Sequence, residues 1–283
     1  MKIIECPRDA MQGIKELIST EKKAAYINQL LQVGFDTVDF GSFVSPKAIP
    51  QMADTSEVLS RLDLSNTKSK LLAIVANPRG ATNACTHQEI DYLGFPFSVS
   101  QTFQKRNTNA SIEDSLHTIE EIQELCTKHD KKLVIYLSMA FGNPYGDEWS
   151  PEIVTEWAHK VMEITEVETL SLSDTIGVSN KDSIQKLFEK VLKETSGVEI
   201  GAHMHTTPST WREKVDAAYQ AGCRRFDGAL KGYGGCPMAK DELTGNMPTE
   251  KMIQYFNENN IELGLDQEAF GKALNFSNEV FNH

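Results

Sequence analysis

Two histidines separated by one residue, His203 and His205, are the side chains in this sequence best suited to bind a metal. Residues two apart on a β-strand point to the same face, so both imidazoles can reach one ion. Histidines that bond only to backbone carbonyls are the alternative interpretation of this spacing. Asp9 could add a carboxylate ligand and Asn246 an amide oxygen. Such a nitrogen and oxygen set suits Mg²⁺ or Mn²⁺, with Co²⁺ or Zn²⁺ as further candidates.

Charged residues next to these candidates suggest what chemistry a metal would assist. Arg8 precedes Asp9, and the two could form an ordinary surface ion pair. At an active site, the same guanidinium can stabilise an oxyanion such as an enolate formed during carbon–carbon cleavage. Asp39 and Asp174 end or follow short apolar segments, although Asp174 could also be a helix N-cap. A carbon–carbon cleavage site is therefore one interpretation of the set.

These polar residues all fall at the ends of short apolar segments that alternate with longer amphipathic ones. Strands are predicted over residues 2–6, 36–40, 70–76, 90–99, 132–139, 167–174, 198–205 and 223–230. Helices are predicted over 19–34, 111–129, 150–164, 181–195, 208–222 and 248–259, with residues 260–283 as a C-terminal cap or helix.

Eight strands that alternate with amphipathic segments predict an α/β protein, a single (β/α)₈ TIM barrel that spans residues 1–283 as one catalytic domain. The active site of such a barrel lies at the carboxyl ends of its strands, where the polar candidates fall. A doubly wound sheet is the competing fold. It usually has a glycine-rich phosphate-binding turn after its first strand, and "ECPRDAMQG" has none.

Composition limits the class of function. The chain has 283 residues, a formal net charge of -12 and five cysteines. Such an acidic chain is not expected to bind nucleic acid or an anionic membrane surface. The cysteines are scattered without CxxC spacing, which disfavours a disulfide framework or a structural zinc site. No signal peptide or membrane span is recognised, so we expect a cytoplasmic protein.

Several long segments match one enzyme family. They are "PRDAMQ" (7–12), "GSFVSPKAIPQMAD" (41–54), "NTNASIEDS" (107–115), "SLSDTIGV" (171–178), "HMH" (203–205) and "GGCPMAKDELTGN" (234–246). On these segments the chain resembles the hydroxymethylglutaryl-CoA lyases, which belong to the metal-dependent lyase and acyltransferase barrels. The resemblance runs along nearly the whole chain.

The resemblance implies roles for individual residues. Its metal ligands are Asp9, His203, His205 and Asn246, and its catalytic residues are Arg8, Cys236, His203, Asp39 and Asp174. Arg8 would neutralise charge on the thioester carbonyl, and Cys236 would take part in proton transfer from a flexible loop. The implied reaction is retro-Claisen cleavage of (S)-3-hydroxy-3-methylglutaryl-CoA to acetyl-CoA and acetoacetate, a step of leucine degradation and ketone-body formation. A homodimer is also implied.

The sequence departs from the family pattern at a few positions. This chain has Ala10 where members usually carry Gly, and Asp39 where they carry Glu. It has Thr206 in place of Asp and Lys251 in place of an acidic residue. Phe141 and Asn143 replace two cysteines of the family. Exchanging Glu for Asp withdraws a carboxylate by about 1 Å, which is enough to affect a positioned group. These departures concern substrate identity more than the metal site.

The acyl-CoA substrate implies further contacts. Coenzyme A carries several phosphates, so basic residues are expected near the mouth of the barrel. The candidates for substrate binding are Gln12, Ser42, Lys47, Ser138, Lys105 and Arg106. The three basic residues could equally be solvated surface charges.

Three other functions remain open. The chain could act on a related 3-hydroxy-acyl-CoA. It could catalyse a Claisen-type condensation of acetyl-CoA with a keto acid, although such synthases usually carry long C-terminal extensions. It could also be a non-catalytic metal-binding barrel, but that function gives no reason to keep Arg8 and Cys236 beside four ligands.

Overall fold

The computed structural model describes residues 1–235 and 244–281. Eight parallel strands pair in chain order and close into a barrel, because β6 pairs with both β5 and β7 and β1 pairs with both β2 and β8. The strands are β1 (Lys2–Glu5), β2 (Thr37–Ser42), β3 (Lys70–Ile74), β4 (Tyr92–Ser98), β5 (Lys132–Ser138), β6 (Thr169–Asp174), β7 (Glu199–Thr206) and β8 (Arg225–Gly228). The predicted TIM barrel is confirmed.

Helices follow the strands and cover the outside of the barrel. They are α1 (Pro7–Gln12), α2 (Thr20–Leu31), α3 (Thr55–Leu59), α4 (Pro78–Cys85), α5 (Gln101–Thr108), α6 (Ile112–Lys128), α7 (Pro151–Ile164), α8 (Lys181–Glu194), α9 (Trp211–Gln220), α10 (Thr249–Glu258) and α11 (Gln267–Phe281). Local sequence sets their starts. Ser111 and Asp114 form a complete capping box at α6, and Ser150 caps α7 ahead of Pro151. None of the described helices is long and apolar enough to cross a membrane.

Among the residues that the structure describes, the buried apolar side chains form two clusters. The larger lies between the barrel strands and the surrounding helices. A smaller cluster of Leu72, Ile74, Val134 and Tyr136 comes from β3 and β5. The Tyr136 ring packs edge-on against His203, 5.5 Å between ring centroids, so this cluster lies beside the polar residues inside the barrel.

The C-terminal segment forms the predicted extra helix, α11, which packs against α2. Phe281 stacks on Tyr233 with ring centroids 4.3 Å apart and meets Tyr26 edge-on at 5.6 Å. A two-residue strand, β9 (Gly245–Asn246), was not predicted. It pairs antiparallel with the end of β7, opposite His205 and Thr206, and so brings a residue distant in sequence to the site.

Candidate active site and metal centre

The first two site residues lie on a helix rather than in a loop. Pro7 begins α1 directly after β1, and its fixed φ suits the first helical position. Arg8 and Asp9 follow in the first turn and are 7% and 8% exposed. A surface ion pair is therefore excluded, and both side chains lie within the mouth of the barrel.

Asp39 holds the Arg8 guanidinium in a two-pronged contact. Arg8 Nε lies 3.0 Å and Nη2 2.5 Å from Asp39 Oδ2, while Nη1 lies 3.0 Å from Asp9 Oδ1. Burial raises the pKa of Asp39 to about 6, although the Arg8 charge opposes that rise. Asp39 thus reaches Arg8 in spite of its short side chain.

Asp9, His203 and His205 form a group suited to bind a cation. One ligand atom from each lies within 4.8 Å of the other two. Asp9 Oδ2 and His205 Nε2 are buried, and neither has a hydrogen-bond partner among the described residues. Buried polar atoms usually have a partner, and a carboxylate oxygen beside an imidazole nitrogen is a donor set that fits a divalent cation.

Hydrogen bonds on the far side of each ring orient the two histidines. His203 Nδ1 lies 3.2 Å from Asp227 Oδ2, and His205 Nδ1 lies 2.7 Å from the Thr175 carbonyl oxygen. A carbonyl accepts only, so His205 carries its proton on Nδ1 and presents a lone pair at Nε2. Burial and the nearby His203 charge lower the pKa of His205. Burial also opposes protonation of His203, but bonding to Asp227 raises its pKa overall.

Asn246 reaches the same group from β9. Its Nδ2 donates to the Tyr233 carbonyl at 2.8 Å, which fixes the amide plane. Burial tends to raise the pKa of Asp9, but Arg8, His203, His205 and the Asn246 amide lower it to about 2. All four predicted ligands are therefore brought together, and the lowered pKa of Asp9 favours its ionised, metal-binding form.

Cys6, His203 and Asp227 form a second group of possible ligands, whose atoms also lie within 4.8 Å of one another. Burial and the charges of Asp227, Asp39 and Asp9 raise the pKa of the Cys6 thiol well above its usual value. Since the thiolate is the form that binds metals, this group is the poorer site.

The predicted substrate residues divide by position. Gln12 joins the site, since its Oε1 accepts from Arg8 at 2.8 Å and its Nε2 donates to Asp9 at 2.9 Å. Ser138 ends β5 and is 8% exposed. Ser42 is buried, and its hydroxyl serves a turn by donating to Ile74 and accepting from Val44.

The basic candidates lie on the surface. Lys47 is exposed in the loop after β2, and Lys105 and Arg106 are exposed in the last turn of α5. Arg106 stacks over the Tyr145 ring at 4.7 Å. None of these contacts connects Lys47, Lys105 or Arg106 to the group of Asp9, His203 and His205.

The two remaining predicted catalytic residues are Asp174 and Cys236. Asp174 accepts from the backbone of Val178 and Ser179 and pairs with Lys214, so both oxygens are occupied; the N-cap of α8 is Asn180. A helix N-cap is thus the wrong interpretation of Asp174, and the structure joins it to the site through Lys214. Cys236 lies outside the described residues.

Two contacts of the histidines do not follow from the sequence. Asp227 is recognisable there as a polar residue near the end of the eighth strand, but its pairing with His203 appears only in the register of β7 and β8. The Thr175 carbonyl belongs to the backbone and has no signature in the sequence.

Comparison with known proteins places this arrangement in a family. The model of the HMGL-like family matches residues 2–276. The chain belongs to the HMGL-like family. It is 32% identical over 283 residues to the cytoplasmic 3-hydroxy-3-methylglutaryl-CoA lyase of Rattus norvegicus, covering all of this chain and 81% of that protein. It is 31% identical over 267 residues to the 3-hydroxy-3-isohexenylglutaryl-CoA/hydroxy-methylglutaryl-CoA lyase of Pseudomonas aeruginosa, covering 94% and 88% of the two chains.

A solved structure of an HMG-CoA lyase has the same fold as this chain. The HMG-CoA lyase of Acinetobacter baumannii, in complex with coenzyme A and 3-methylmalate, superposes with a TM-score of 0.91. It is 29% identical and matches 100% of this chain and 91% of that chain. The protein is thus a carbon–carbon lyase of the HMGL-like family with an activity like that of HMG-CoA lyases. Members of this family generally depend on a divalent metal, and the buried donors above fit one.

Proposed function

We propose that this HMGL-like lyase cleaves (S)-3-hydroxy-3-methylglutaryl-CoA to acetyl-CoA and acetoacetate. The observation that carries the proposal is the contact between Arg8 and Asp9, with Arg8 Nη1 3.0 Å from Asp9 Oδ1. It places an oxyanion-stabilising guanidinium directly beside three candidate metal ligands. A retro-Claisen cleavage needs both groups at the same carbon–carbon bond.

Asp9, His203, His205 and Asn246 would hold the cation. A bound Mg²⁺ or Mn²⁺ would supply Lewis acidity that favours transfer of the tertiary hydroxyl proton to a general base of the site. His205 contributes a neutral imidazole because its Nδ1 proton is held by Thr175, and Asp227 fixes the ring of His203. The donor set contains hard oxygens and imidazole nitrogens without thiolate, which matches these ions.

Arg8 and Asp39 act on the thioester half of the substrate, across the scissile bond from the tertiary hydroxyl. Asp39 accepts hydrogen bonds from Nε and Nη2 of Arg8, and these bonds hold the guanidinium in its orientation toward Asp9 and the barrel mouth. Its charge then stabilises the thioester oxygen as the enolate of acetyl-CoA forms. Protonation of that enolate falls to Cys236, a role that rests on the sequence resemblance.

Coenzyme A requires a binding surface next to the metal group. A cavity of about 220 Å³ borders Asn246 and includes Trp211, Lys231 and Lys251 in its lining. Lys251 would bind a phosphate of coenzyme A there, whereas Lys231 Nζ contacts Asn278 Oδ1 and Glu250 adds a carboxylate to the lining. The sequence instead suggests Lys47, Lys105 and Arg106. Support for an acyl-CoA substrate comes from the Acinetobacter baumannii enzyme, whose structure contains coenzyme A.

The identity of the acyl group is the finer part of the proposal. The Pseudomonas aeruginosa relative is named for both an isohexenylglutaryl and a methylglutaryl substrate, so a related 3-hydroxy-acyl-CoA is the second candidate. A condensing synthase and a non-catalytic barrel lack comparable support. The proposal includes a cytoplasmic homodimer, and the four described cysteines, all unpaired, suit a reducing compartment.

Product analysis tests the proposal. The purified protein, loaded with Mn²⁺, is incubated with (S)-3-hydroxy-3-methylglutaryl-CoA, and acetoacetate and acetyl-CoA are quantified. We expect both products in equal amounts. Turnover of the isohexenyl substrate alone would favour the second candidate, and no cleavage of either by a metal-loaded protein would refute a lyase acting on these compounds.

A further inference from the structure

Lys214, on α9, is a buried cation that the proposed mechanism does not use. Its side chain is 2% exposed, and its ammonium group has three partners. Nζ lies 2.6 Å from Asp174 Oδ2, 2.8 Å from the His205 carbonyl oxygen and 3.0 Å from the Gly177 carbonyl oxygen. An ammonium has three protons, so its hydrogen-bonding capacity is fully used.

One of these partners is the backbone of a candidate metal ligand. The His205 carbonyl accepts from Lys214, while Nδ1 of the same residue contacts the carbonyl of Thr175. Thr175 follows Asp174 directly, and Asp174 is the counter-ion of Lys214. Lys214 thus connects the β6–α8 loop to the end of β7, and that loop sets the direction of the His205 ring.

The same connection extends to a second ligand. A Cβ placed on Gly177, whose φ is +72°, would lie only 2.8 Å from Thr244 Cγ2, so this loop packs closely on the segment that leads into β9. Gly245 and Asn246 of β9 pair with Thr206 and His205. Anchoring Gly177 therefore also supports the segment that presents Asn246.

We propose that Lys214 is a positioning residue of the metal centre, which sets the geometry of His205 directly and of Asn246 through the Gly177 loop. This inference rests on the proposed function, since it takes Asp9, His203, His205 and Asn246 as the metal ligands. Partners that orient metal ligands typically affect metal affinity about 10- to 100-fold. Loss of Lys214 should therefore weaken metal binding in the absence of any substrate.

The chain offers a matched control in Lys23, a second buried lysine. Its Nζ donates to Asp54 Oδ1 at 2.7 Å and to the Gln51 carbonyl, and the residue is 3% exposed. Gln51 and Asp54 lie between β2 and α3. Neither of them is a candidate metal ligand, and Lys23 is not one either. Lys23→Met thus removes the ion pair of another buried lysine, one whose partner Asp54 is 21% exposed, without touching the proposed connection.

The test measures the dissociation constant of Mn²⁺ by electron paramagnetic resonance for four full-length proteins without substrate. They are the wild type, Lys214→Met, Lys214→Gln and Lys23→Met, each also followed by thermal unfolding. We expect binding about 10- to 100-fold weaker for Lys214→Met, intermediate for Lys214→Gln, which keeps a donor, and unchanged for Lys23→Met. If Lys214→Met does not fold, Lys214→Gln supplies the comparison.

The outcomes separate this inference from the proposed function. Wild-type binding of Mn²⁺ with Lys214 variants within twofold of it would overturn the positioning role and leave the metal centre intact. A similar weakening in Lys23→Met would also overturn it, because general destabilisation would then explain the loss. A wild-type protein that binds no Mn²⁺ would refute the metal centre, and the positioning role with it.

Discussion

Replacing Arg8 by Gln should remove catalysis while leaving metal binding largely intact. Arg8 is the one group of the site whose proposed task is to stabilise negative charge on the substrate, and loss of an oxyanion donor lowers kcat by about 10²- to 10³-fold, or about 3–4 kcal/mol. The Asp9 carboxylate keeps its contact with Gln12, at 2.9 Å, so its place near His203 and His205 is retained. The assay follows acetoacetate formation at saturating substrate and Mn²⁺, beside a Mn²⁺ binding measurement.

The structure also predicts a loss of stability, which has to be separated from the loss of rate. Asp39 is 1% exposed and would lose its cation, and breaking a buried pair costs about 3–5 kcal/mol. The double variant Arg8→Gln/Asp39→Asn removes both charges, so it should recover much of that stability and none of the activity. A kcat within fivefold of the wild type, in either variant, would exclude Arg8 from the mechanism.

Three further predictions follow from other contacts. Asp227→Asn removes the charge that orients His203 and should weaken Mn²⁺ binding about 10- to 100-fold; calorimetry that shows unchanged affinity would contradict this. Burial raises the pKa of Glu5 to about 8, so the folded protein holds a proton that the unfolded chain releases above pH 4.5, and stability should fall as pH rises from about 5 to 8. Urea unfolding of Glu5→Gln should show a weaker decline, and identical slopes would refute the assignment. Lys251→Gln should raise the KM for the acyl-CoA without changing kcat, whereas Lys47→Gln should not; equal KM values for Lys251→Gln and the wild type would remove Lys251 from the binding surface.

The barrel and the metal group were predictable because both depend on patterns that sequence displays. Alternating apolar and amphipathic segments gave all eight strands, and the HxH spacing on β7 placed two imidazoles on one face. Residue type and position after a strand made Asp9 and Asn246 candidates for the remaining ligands, and the resemblance implied the same two residues. The pairing of Asn246 with β7 depends on a two-residue strand, which is too short to have a periodicity.

Other features depended on three-dimensional contacts. Lys214 lies in an amphipathic helix, where a lysine is ordinarily solvated, and its burial arises from the carbonyls of His205 and Gly177. Asp39 has one methylene fewer than the Glu that the family usually carries, yet its carboxylate makes a two-pronged contact with Arg8 on α1. Neither outcome can be inferred from residue type alone.

Anomalous diffraction from crystals loaded with Mn²⁺ tests the central claim most directly. We expect one strong peak in contact with Asp9 Oδ2, His203 Nε2 and His205 Nε2, with the Asn246 amide oxygen as a fourth ligand. A peak at Cys6 and Asp227 instead, or no peak near Asp9 in crystals that bind Mn²⁺ elsewhere, would contradict it.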